Sequence, residues 1–275
     1  MGLFYNNNVS GRGVAKNGPK KKPFFRFWEL FFNKFGTFFK LNLIYLLFCL
    51  PVVTIGPATA ALTAMMRNIY LERPQFIWHD FVKYFKKNFK QGLVVGLIDI
   101  AAAVIFALLF YQYNNISNPD AATNIMYIIS LAVLVMFLMM NFYIYPQIAA
   151  LNLNLVGIFK NSLIMVFVNL PGELIVLAVI IGFASLFWFF FIPAVFLAPF
   201  LPGAWIVFIS VFCCYPAIQK HLINPYYEKT GERNPEIPDW ELEDEDAAVF
   251  QDQGGKEQPI KLKREKKKNN GRVIK

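Results

Sequence analysis

Positive charge is almost missing from the middle of this 275-residue chain: between Lys90 and Lys220 only Lys160 is cationic. A soluble domain spreads charged side chains over its surface, and 16% charged against 56% hydrophobic residues excludes such a domain for most of the chain. Cysteine is scarce as well. Cys49, Cys213 and Cys214 sit inside apolar runs, where a free thiol acts as a small hydrophobe, so neither a disulfide framework nor a zinc site follows. Histidine is limited to His79 and His221, both beside lysines and aromatics and without the companions that general-base chemistry needs. Walker A, G-x-G-x-x-G, H-E-x-x-H and G-x-S-x-G patterns are all lacking, which removes the soluble-type nucleotide, zinc and hydrolase constellations. No catalytic residue, cofactor or metal ligand is therefore assigned, and the chain is expected not to be an enzyme.

What the chain has instead is apolar length, at roughly 92–113, 124–146, 171–192 and 204–220. At ~1.5 Å of rise per helical residue, each run is about long enough for a hydrocarbon core of ~30 Å. Strands of a membrane barrel would alternate polar and apolar residues. The stretch from Leu131 to Met140 is apolar on every side, so these runs are helices. The expected fold is all-α, a polytopic integral membrane helical bundle. The net charge of +9 does not indicate nucleic acid, because the basic residues are split between the tails and a juxtamembrane segment, with no aromatic platform for bases. The expected partner is a lipid bilayer with anionic headgroups.

Orientation follows from where Lys and Arg fall, since loops rich in them stay in the cytoplasm. Eight lie in 1–40, six in 67–90, one in the middle loop as Lys160 and twelve in 220–275, while 114–123 and 193–203 hold none. Both termini are therefore expected inside and those two loops outside. The apolar stretch from Leu41 to Met66 must then cross and return within too few residues for two full spans. A long first helix is expected from Phe24 to Leu50, then a turn at Pro51, Thr54, Gly56 and Pro57, then a short return at 57–73. Proline suits the first turn of the returning helix and Gly56 permits a close approach. About six membrane segments result, the second of them short. Ala58-Thr-Ala60 follows an apolar run as a signal-peptidase site would, but the long Phe-rich stretch before it is no n-region. Asn6 likewise stands where N-myristoylation requires Ser or Thr.

Residues 76–91 have the pattern of an amphipathic helix lying in the membrane interface. Phe81, Phe85 and Phe89 form its apolar face, turned to the acyl boundary, and Lys83, Lys86, Lys87 and Lys90 form its basic face. That basic face is the candidate surface for membrane or partner docking. A parallel repeat is suggested at an offset of seventy residues, 85–154 and 155–224, because Phe89-Lys-Gln-Gly-Leu93 aligns with Phe159-Lys-Asn-Ser-Leu163 and Phe142-Tyr-Ile-Tyr-Pro146 with Phe212-Cys-Cys-Tyr-Pro216. Ionisable groups in lipid are costly, which makes Asp99 and Glu173 the candidate intramembrane polar residues. Asn141, Asn152, Asn154 and Asn169 are candidates for interhelical hydrogen bonds. The domain plan is a disordered basic tail at 1–23, a helical transmembrane domain at 24–223, and a disordered charged tail at 224–275, acidic and then basic.

The stretch from Leu41 through Cys49-Leu-Pro-Val-Val-Thr-Ile-Gly-Pro57 to Leu62, followed by Trp78-His-Asp-Phe81 and Asn88-Phe-Lys-Gln-Gly92, resembles the YesL-like bacterial integral membrane family, a domain of unknown function. The resemblance covers 41–97. It implies a multi-pass protein of the bacterial cytoplasmic membrane, encoded among carbohydrate uptake and glycan-degrading proteins, and it carries over no catalytic or ligand residues. The function expected is that of an accessory or regulatory component of carbohydrate uptake, docking transporter subunits through the basic helix. A stand-alone small-solute transporter is the first alternative, set behind the accessory role because few polar groups line any path for a sugar. An intramembrane enzyme is the second.

Overall fold

The computed structural model describes residues 22–116, 118–189 and 202–237, and every element among them is helical. Residues 21–234 form one compact unit. In chain order the helices are α1 (Pro23–Asn33), α2 (Phe35–Cys49), α3 (Ile55–Tyr70), α4 (Ile77–Asn114), α5 (Ala121–Ala150), α6 (Leu155–Val168), α7 (Leu170–Phe189), α8 (Pro202–Ile218) and α9 (Asn224–Thr230). A 3-10 turn, Val52–Thr54, joins α2 to α3, and a π turn, Gln219–Ile223, joins α8 to α9.

Among the described residues, three stretches are long and apolar enough to cross a membrane: Ile77–Asn114, Ala121–Ala150 and Gly203–Thr230. The pair Leu155–Val168 and Leu170–Ser185 makes a fourth if its two arms, bent by 93° at Asn169, count as one span. The 15-residue α2 is apolar but shorter. Leu97, Val104, Ile105 and Leu108 of α4 and Ile125, Ile128, Val133 and Leu138 of α5 are exposed, an apolar surface that only lipid solvates.

The centre of the bundle is α3, with 13 of its 16 residues buried. Its composition explains this: Gly56, Ala60 and Ala64 recur every fourth residue, and small side chains let backbones close on one another. Gly56 meets Gly92 and Gly96 of α4 so closely that a Cβ on Gly56 would lie 2.0 Å from the Gly92 carbonyl oxygen and 2.7 Å from the Gly96 Cα. Around α3, the main core brings Phe38 and Leu41 of α2, Tyr143 of α5, and Phe208, Val211 and Tyr215 of α8 together with Leu62, Met65 and Met66. Asn42 of α2 is buried, and its Oδ1 accepts from the Ala204 backbone N–H (3.0 Å), capping the first turn of α8.

Several expectations need correcting. The first helix is not continuous from Phe24 to Leu50 but breaks at Lys34, which turns α1 onto α8: Phe27 stacks on Phe208 at 5.5 Å and Phe31 meets Trp205 edge-on at 4.7 Å. Residues 77–91 are not a separate helix in the interface plane. They are the first turns of the 38-residue α4, whose ~57 Å length at ~1.5 Å per residue exceeds the membrane core. The segment holding Lys160 is the helix α6 rather than a loop. Helix also continues past 223 through α9 to a cap at Gly231, whose φ of +66° suits glycine. The tails at 1–21 and 238–275, and most of the 193–203 loop, lie outside the described residues.

Candidate functional site

The turn after α2 is held by one hydroxyl: Thr54 Oγ1 lies 2.6 Å from the Phe48 carbonyl oxygen and 2.7 Å from that of Pro51. Pro57 falls in the first turn of α3, where no helical hydrogen bond is lost. The four residues Pro51, Thr54, Gly56 and Pro57 thus set the angle at which α3 enters the bundle.

On α4, Phe81 and Phe85 pack on protein rather than on the acyl boundary. Phe81 is fully buried, with Phe48 of α2 at 5.2 Å, and Phe85 lies 4.8 Å from the same ring. Phe89 packs edge-on against Phe85 at 5.5 Å. The physical reason is the glycine contact, which brings the start of α4 against the end of α2, and Asn68 of α3 adds a bond to Tyr84 Oη (3.0 Å). The opposite face leaves Lys83, Lys86, Lys87 and Lys90 exposed. Lys83 lies near Asp80, whereas Lys86, Lys87 and Lys90 have no acidic partner among the described residues. These three lysines, with Asn88, Asn152 and Asn154, border a cleft of about 530 Å³ between α4 and the α5–α6 connection. Gln91 ties the two sides by donating to the Leu153 carbonyl oxygen (2.7 Å). Asn88 is 4% exposed and its amide nitrogen has no acceptor.

The two intramembrane acids are not brought together. Tyr145 of α5 donates to Asp99 Oδ2 of α4 (2.5 Å), leaving Asp99 Oδ1 buried without a partner. Glu173, in the first turn of α7, is 0% exposed and neither carboxylate oxygen has a hydrogen-bond partner. Tyr143 Oη accepts from Asn169 Nδ2 (3.1 Å) and keeps its own proton on the side of Glu173, which it faces without closing a hydrogen bond to the carboxyl. Asn169 also donates to the Cys213 carbonyl oxygen of α8 (3.2 Å). Tyr143 and Tyr145 stand two residues apart, about 200° around the helix axis, so α5 presents a different tyrosine to each acid.

Among the described residues, no three His, Cys, Asp or Glu side chains cluster as metal ligands would. His79 is exposed beside Asp80 (3.1 Å) and His221 is exposed in the π turn. Of the other asparagines, Asn154 caps α6 by accepting from Gly157 N–H (2.9 Å), and Asn141 donates within its own helix to Phe137 O (3.2 Å). Sequence reasoning missed the bond from Arg67 Nε to Tyr215 Oη (2.5 Å), the Gln147–Ser162 bond (3.0 Å) and the partners of the Gly56 approach, Gly92 and Gly96. The glycine contact had a visible signal, the Gly92-x-x-x-Gly96 spacing.

Residues 38–113 match a family described as protein of unknown function, DUF624. No curated protein and no solved structure matches the chain. The matched stretch contains the 51–57 turn, α3, the glycine contact, the basic turns of α4 and Asp99, while Tyr143, Glu173 and α8 lie beyond it.

Proposed function

We propose that this protein is a multi-pass component of the bacterial cytoplasmic membrane that serves carbohydrate uptake as an accessory or regulatory subunit, docking a partner on the basic end of α4. The observation that carries this reading is the cleft bordered by Lys86, Lys87 and Lys90, whose ammonium groups have no acidic partner within the described fold. Unpaired cations on a helix whose Phe81 is buried in the core behind them form a preorganised surface for an acidic partner. Resemblance to the YesL-like family supports the carbohydrate setting. The distribution of Lys and Arg supports six membrane segments, counting α2 and α3 as the first pair, with both termini in the cytoplasm.

The test is charge reversal of the four lysines together (K83E, K86E, K87E, K90E), with the tagged protein purified in mild detergent from cells growing on complex carbohydrate. Loss of transporter subunits from the purified material, with unchanged membrane insertion, is the expected result. Unchanged association together with unchanged sugar uptake would overturn the docking role.

A further inference from the structure

We propose that Glu173 is the carboxylate of a monovalent-cation site, taking a proton or an alkali ion, at the break between α6 and α7. The inference is independent of the docking surface, since no lysine of α4 takes part in it.

Three observations converge on Glu173. Its side chain is entirely buried and both oxygens lack a hydrogen-bond donor. An isolated carboxylate in apolar surroundings costs several kcal/mol, so it requires a positive charge of its own. Among the described residues none faces it: Tyr143 approaches from α5 and Cys214 from α8, while Arg67 of α3 bonds the Tyr215 hydroxyl of α8.

The second observation is the break itself. The chain bends by 93° at Asn169, and non-helical backbone at membrane depth persists only where protein or a polar cavity receives it. Here Asn169 bridges α5 and α8 through Tyr143 and the Cys213 carbonyl. The third is the absence of a side chain at Gly172. A Cβ there would come 2.6 Å from Asn169 Nδ2 and 2.9 Å from the Cys213 carbonyl oxygen, so glycine is what lets the first turn of α7 lie against these polar groups. A carboxylate, an amide, a phenol and a main-chain carbonyl thus gather where a membrane helix is interrupted, the arrangement in which broken helices coordinate coupling ions. Asp99 differs because Tyr145 already donates to it within an unbroken helix.

The test uses the unaltered full chain in liposomes. Dicyclohexylcarbodiimide, a lipid-soluble reagent, modifies a carboxyl group only while it is protonated, and mass spectrometry of the peptide carrying Glu173 reads the adduct. Labelling is measured from about pH 5 to about pH 9, a span around the ordinary range of titrating side chains, with sodium, lithium or potassium chloride and with choline chloride as control. A proton site gives a Glu173 adduct that falls about tenfold per pH unit on its alkaline limb and ignores the salt. An alkali-ion site gives an adduct suppressed by one of the metal salts and not by choline. Glu173 unmodified throughout, or modified to an extent that neither pH nor salt alters, overturns the proposal.

Discussion

Single polar side chains close the gaps that a lipid-facing backbone cannot leave open. Asn42 is the plainest case, because its carbonyl oxygen satisfies a buried N–H at the start of α8. Asn42→Ala is expected to cost about 1 kcal/mol, as other lost N-caps do, and to lower the thermal unfolding midpoint in detergent. Asp120 does the same job in the exposed loop before α5: the Thr123 hydroxyl and backbone N–H both donate to its carboxylate. Those bonds, the hydroxyl first, hold its carboxyl below the usual carboxylate range. A depressed value stabilises the folded end of α5 above the unfolded pKa of ~3.9, and that contribution is lost as pH falls through the lower folded value. The exchange protection of the Thr123 amide, relative to its intrinsic rate at each pH, should therefore fall only under acid, and Asp120→Ala should lower it at neutral pH as well.

Among the elements, α3 is decisive, since at Gly56 it meets α4 backbone to backbone. Gly56→Ala and Gly96→Ala each place a methyl group where the partner helix already is. Overpacking of that kind costs typically ~1–3 kcal/mol, so both variants should unfold at lower temperature and shift the basic turns of α4. Gly36→Ala supplies the control. Nothing lies within 4 Å of a Cβ at Gly36, and replacing glycine within a helix gains roughly 0.5–1 kcal/mol, so that variant should be as stable as the parent or slightly more so. The opposite ranking in a thermal-shift series would mean that the α3–α4 contact does not limit stability.

The whole molecule exposes apolar side chains on α4 and α5 that only a bilayer covers. Its proposed orientation places the basic end of α4 in the cytoplasm and the loop before Asp120 outside. Single cysteines at Lys87 and Asn118, in a chain whose Cys49, Cys213 and Cys214 are replaced by alanine, check this directly. A membrane-impermeant maleimide should label the Asn118→Cys variant in intact cells and the Lys87→Cys variant only after lysis. The reverse pattern would invert the protein and move its lysine cleft away from any cytoplasmic partner.

The helical class, the helices through 92–113, 124–146 and 204–220 and the two acids to watch were legible in the residues, because continuous apolar length and rare charge are one-dimensional quantities. Direction of packing is not. The amphipathic pattern of 76–91 separates a lysine face from a phenylalanine face, yet nothing in it tells lipid from protein as the neighbour of Phe81, since both are apolar; the Gly56–Gly96 contact decides that by bringing Phe48 of α2 to Phe81. The 93° bend at Asn169 was equally hidden, because an apolar run that starts at 171 gives no angle to the helix before it. Only the tertiary structure distinguishes Glu173, left alone among buried groups, from Asp99, supplied with a tyrosine. A hydrogen bond between helices depends on their rotation about their own axes, and that rotation exists only once the helices have packed.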